Sequence, residues 1–251
     1  MNKELCGLIL IGTIFIFAII GYLVTFLFNK KQKKKIDNII LEVLFFTILA
    51  IIIIYIFPLI YNCLDFMNFY LFLIFLVVGF IIIKVIDNFL PYHDDNKLLK
   101  KELKNNYWHI GFLSIICFAV YNIMIGIDVY NITLNNVNSG INSTISAIVR
   151  VGLFSFLISY LINQESISVK KKILVSFCYF LSIICGGIIG FILNSNLNAL
   201  IFGCFLSITF GMFTYILVNE LWNRIRKTKD KKKIILEGII IFIIFLVSAF
   251  I

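Results

Sequence analysis

The chain has 251 residues, of which 61% are hydrophobic and only 14% charged, and its mean hydropathy is +1.05. Soluble domains carry about 25% charged residues, so this composition excludes one and predicts an all-α, polytopic membrane protein. The net charge of +9 does not call for a nucleic-acid partner, because its placement fits a multi-pass protein in a lipid bilayer.

About 20 apolar residues are enough for a helix to cross a bilayer. The chain supplies eight such runs, residues 5–28, 38–61, 67–90, 110–131, 143–162, 173–193, 199–223 and 234–251, in one transmembrane domain covering 1–251. The first is longer than the core of a signal peptide and no small-residue cleavage site follows it, so it reads as an uncleaved helix. Span 2 contains Pro58, which neighbouring helices can accommodate. Span 4 is the most unusual. It carries Tyr121, Asn122 and Asp128, and positions 121, 125 and 128 share one face at 3.6 residues per turn. Span 5 contains Arg150. Span 6 carries Gly186, Gly187 and Gly190, a small-residue run that lets helices approach closely. The segments 62–66, 133–142 and 194–198 read as uncharged or weakly charged connections.

Of the 22 lysines and arginines, 19 lie in the first, third, fifth and seventh loops, and none in the second, fourth or sixth. Such one-sided bias places the basic loops in the cytoplasm and both termini outside the cell membrane. The six cysteines form no Cys-x-x-Cys pair and fall mostly in apolar runs, so they read as small buried hydrophobes rather than a disulfide or metal framework.

Depth sorts the charged residues within the spans. Glu42, Lys84, Asp87, Glu220 and Glu237 lie near the ends that face the basic loops, where they can reach interfacial water. Lys84 and Asp87 are three apart and can pair. Asp128 and Arg150 lie deeper, where a charge normally faces a bundle interior or a wet cavity. They can form a buried pair between antiparallel neighbours or line a polar pathway. No phosphate-binding Gly-x-x-x-x-Gly-Lys-Ser/Thr loop is present, and the chain is not expected to be an enzyme. His93, with Asp94 and Asp95 in the third loop, reads as part of a solvated turn rather than a metal site.

Several short motifs resemble the ZIP family of divalent-metal transporters. Span 4 keeps the Asn and Gly of a His-Asn-x-Pro-Glu-Gly motif as Asn122 and Gly126. Gly79, Asp87, Leu90, Pro91, Tyr92 and His93 are similar to the end of the family's third span. Gly211, Phe213, Tyr215 and Glu220 are similar to its seventh. The resemblance implies a ZIP-like bundle with a cavity between spans 4 and 5, lined by Tyr121, Asn122, Ile125, Asp128, Arg150 and Phe154. It leaves Asn122 and Asp128 as metal ligands. The family's His and carboxylate positions on span 4 are occupied by Tyr121 and Ile125, and its span-5 ligands align near Arg150 and Phe154. Arg keeps its proton and is no ligand for Zn²⁺ or Fe²⁺.

Three readings follow from these residues. One is a permease for zinc, iron, manganese or another small inorganic ion or solute, with no cofactor beyond the transported divalent metal. A second is a ZIP-like scaffold or sensor whose site is filled by an Asp128–Arg150 pair. A third is an accessory permease subunit of a membrane complex. A homodimer is open to each.

Overall fold

The computed structural model describes residues 2–25, 33–89, 107–163, 169–193, 199–226 and 231–250. These residues are helical with short turns, and no strand occurs among them. His93, Asp94 and Asp95 lie outside the described residues, as do parts of the basic loops.

Among the described residues, eight helical spans are long and apolar enough to cross a membrane: Lys3–Val24, Ile39–Cys63, Phe69–Phe89, His109–Asn135, Val137–Asn163, Lys172–Leu193, Ala199–Leu221 and Lys232–Phe250. They follow the predicted runs within a few residues, except between spans 4 and 5. There the expected loop 133–142 is almost entirely helical. Span 4 continues to Asn135, and Val137 starts the next helix. The reversal rests on Asn136, whose side-chain oxygen accepts from the Asn138 backbone N–H at 3.0 Å, a helix N-cap. Gly140 then lets the two helices close up: a Cβ there would lie 2.2 Å from Thr133 Oγ1. A polar composition without apolar periodicity had concealed this capped hairpin.

Span 4 is the centre of the bundle. Within its apolar window 72% of the residues are buried, against 17% for span 3 and 22% for span 1. It packs against spans 1, 5, 6 and 7. Its crossing with span 6 is a backbone contact: a Cβ at Gly186 would lie 2.2 Å from the Ile123 carbonyl oxygen. Spans 3 and 7 form a second close pair through Gly79 and Gly211, where added Cβ atoms would lie 2.0 Å from the carbonyl oxygens of Ile208 and Leu76 respectively. Without a water-driven hydrophobic effect between helices, such close packing is a main source of association in lipid.

Among the described residues, two spans contain π-helical turns. In span 2 the turn Ile52–Ile56 runs into Pro58, which stands in the first turn of Phe57–Cys63. Proline has no N–H and its ring crowds the carbonyl four residues back. One wider turn removes both conflicts. In span 7 the π turn is Ile216–Leu221, and it includes Glu220.

Candidate functional site: a His-carboxylate cluster at the basic-loop end

Asp87 near the end of span 3, His109 at the start of span 4 and Glu220 near the end of span 7 converge. One ligand atom from each lies within 4.8 Å of the others. His109 Nε2 is 2.5 Å from Asp87 Oδ1 and 3.9 Å from Glu220 Oε1. Asp87 and His109 are 9% and 6% exposed, and Glu220 is half-buried. The second Asp87 oxygen accepts a hydrogen bond from the Tyr215 hydroxyl. Asp87 Oδ1 is fully buried and faces the imidazole.

The π turn explains how span 7 contributes twice. Tyr215 and Glu220 are five residues apart. In an α-helix that separation turns about 140° away. In a π turn the bonding step is itself five residues, so both side chains reach the same corner. Reading span 7 at 3.6 residues per turn therefore misses the cluster. Depth misled as well: Asp87 turns away from Lys84, with no ion pair within 4.0 Å, and packs inward. Glu42, also assigned to interfacial water, is only 4% exposed.

The residues expected to line a cavity between spans 4 and 5 do something else. Phe154 packs on Phe118, which lies 4.7 Å from Phe213, and Tyr121 is 5.7 Å from Phe213, all as ring centroids. Ile125 is buried beside them. Side chains thus fill the bundle at this level. Above it, Arg150 is 7% exposed. Its Nη1 donates to Tyr121 Oη at 2.9 Å and its Nε to the Ser146 carbonyl at 3.2 Å. Its guanidinium carbon sits 3.9 Å over the Tyr55 ring, a cation–π contact that is stronger away from water. Tyr55 donates to the Phe245 carbonyl at 3.0 Å, shares a 2.6 Å hydrogen bond with Ser248, and accepts from Ser146 at 3.1 Å. Spans 2, 4, 5 and 8 are therefore tied together around Arg150.

Asp128 is half-buried and makes no ion pair with Arg150 within 4.0 Å. The pair that would have filled the site is not formed, because Arg150 spends its directed contacts on two tyrosines and its own helix. Asn122 is 1% exposed and meets Tyr179 of span 6. Asn122 and Asp128 are six residues apart, which puts them about 120° apart on the helix, so they do not converge on one ion. One prediction follows. Asp128→Asn should melt within about 1 kcal/mol of the parent, since no buried partner is stranded; loss of a true buried pair would cost about 3–5 kcal/mol. Thermal unfolding in detergent checks it, and a drop of the larger size would restore the pair.

The family model described as transmembrane proteins 14C matches residues 175–251, which are spans 6 to 8 and under a third of the chain. No model of the ZIP family matches. No curated protein and no solved structure matches the chain. The ZIP resemblance is thereby corrected. It rested on short motifs such as Asn122 with Gly126 and Gly211 with Tyr215, residue types that any closely packed apolar bundle reuses. The positions that would have carried the chemistry hold Tyr121, Ile125, Arg150 and Phe154, which make packing and hydrogen-bond contacts here.

Proposed function

We propose that this integral membrane protein binds a divalent transition-metal ion between spans 3, 4 and 7, through Asp87, His109 and Glu220. The observation that carries the reading is the convergence of one imidazole nitrogen and two carboxylate oxygens from three helices within 4.8 Å. A mixed nitrogen and oxygen donor set suits Zn²⁺, Mn²⁺ or Fe²⁺ better than a soft ion. With bonds of about 2.0–2.2 Å, tetrahedral ligand atoms stand roughly 3.4 Å apart. The 2.5 Å and 3.9 Å separations bracket that value, so an ion needs only a small opening of the Asp87–His109 contact. Tyr215 holds the second oxygen of Asp87 and fixes its orientation, as partners of ligands do in metal sites. Glu220, the most accessible of the three, gives the ion its way in.

The geometry favours an ion held at one end over an ion passed through. Phe118, nine residues beyond His109, is about 13 Å further along span 4 at about 1.5 Å per residue. There the aromatic packing closes the bundle, and Arg150 beyond it opposes a cation. A bound ion would clamp spans 3, 4 and 7 at the basic-loop end, as a metal-responsive membrane protein requires.

The 2.5 Å contact also supports a second reading, in which His109 Nε2–H donates to Asp87 with no ion. Equilibrium dialysis of the purified protein against Zn²⁺ and Mn²⁺ separates the two. The metal reading expects about one equivalent bound by the parent and at least about a tenfold weaker site in Asp87→Asn. Equal, weak retention by both proteins would leave the clasp.

A further inference from the structure

The opposite end of the bundle gathers sulfur. Cys63 ends span 2, Met67 lies in the turn before span 3, and Cys204 stands near the start of span 7. All three are more than nine-tenths buried, at 7%, 1% and 9% exposed. Cys204 Sγ lies 3.8 Å from Met67 Sδ. The backbone N–H groups of Phe66 and Met67 both donate to the Cys63 carbonyl at 3.0 Å, so the turn fixes Met67 relative to Cys63. Gly203 brings span 7 against this turn. A Cβ there would lie 2.9 Å from Cys63 Cβ and 3.5 Å from Met67 Sδ. Cys63 and Cys204 are free thiols.

We propose that Cys63, Cys204 and the Met67 thioether form a site for a soft monovalent cation, Cu(I). Thiolate and thioether donors select Cu(I) over the harder ions that suit the His-carboxylate cluster. Binding forms two copper–thiolate bonds and one copper–thioether bond. Each thiol releases one proton, and copper enters and remains as Cu(I), so no oxidant or reductant is consumed. The two released protons pass to the aqueous buffer. Small buried cysteines scattered for packing alone would not be expected to meet a methionine sulfur across a glycine contact between the end of span 2 and the start of span 7. The site is independent of the divalent-metal reading and uses none of its residues.

Anaerobic titration of the detergent-purified protein with Cu(I), in competition with bicinchoninate, tests it. The parent should take about one equivalent away from the chelator. Cys63→Ser and Cys204→Ser should each weaken that site at least about 100-fold, and the near-isosteric Met67→Leu about tenfold, in line with loss of a ligand from a first coordination shell. Cys178→Ser, at an exposed cysteine of span 6, should leave copper binding unchanged. Two results would overturn the proposal: a Cys63→Ser/Cys204→Ser double variant that retains as much copper as the parent, or a Cys63–Cys204 disulfide, found by mass spectrometry, in the protein that fails to bind copper.

Discussion

His109→Ala should abolish stoichiometric binding of divalent metal, weakening the site by at least about 100-fold. The imidazole is the one nitrogen donor in the cluster, and it stands between two carboxylates, 2.5 Å from one and 3.9 Å from the other. Its removal leaves Asp87 and Glu220 facing a gap, without the group that holds their charges together. Metal content after dialysis, measured on protein matched for helical content, checks the result. His109→Gln should restore part of the fold's stability without restoring affinity, because an amide fills the space but is a poor ligand. Parent-like metal content in His109→Ala would place the ion elsewhere.

Gly79→Leu should have the largest effect on the fold. Spans 3 and 7 touch backbone to backbone, with a Cβ at position 79 already 2.0 Å from the Ile208 carbonyl oxygen. A leucine must drive the helices apart. Overpacking of this kind costs about 1–3 kcal/mol, occasionally more, and here the upper end is expected because the obstacle is backbone. The consequence reaches the site. Asp87 follows Gly79 by eight residues on span 3, and Glu220 follows Gly211 by nine on span 7. Separating the two spans moves two ligands that come from different helices. Gly79→Leu is therefore expected to lower both the unfolding temperature and metal affinity, whereas a leucine at Gly12, where an added Cβ would meet nothing from another helix within 4 Å, should change neither. A Gly79→Leu protein that unfolds like the parent would contradict the close crossing.

The eight spans were legible because apolar length and the one-sided placement of lysine and arginine are properties of sequence alone. The hairpin at Asn136 was not, since a single asparagine cap and the fit of Gly140 against Thr133 replace the loop that polarity suggests. The central role of span 4 was also visible in its polar residues, and Arg150 is buried where its depth implied. What those residues contact was not visible. Arg150 turns to Tyr55 and Tyr121, and Tyr55 lies in the π turn Ile52–Ile56. Glu220 is displaced by a second π turn. Both wide turns shift side chains off the 3.6-residue faces from which sequence reasoning works. His109 falls one residue before the apolar run 110–131, yet it opens span 4 and is buried. The cluster thus unites an acid, a histidine and a second acid that sequence placed separately at the water interface. The sulfur group was missed for a similar reason: Cys204 is remote in sequence from Cys63 and Met67 and meets them through the Gly203 contact.

X-ray absorption at the zinc K-edge of the zinc-loaded protein tests the metal reading most directly. The expected result is a first shell of nitrogen and oxygen at about 2.0–2.2 Å, with the scattering pattern of one imidazole and no sulfur near about 2.3 Å, and loss of that signal in His109→Ala. A sulfur-dominated shell, or a spectrum unchanged by His109→Ala, would contradict it.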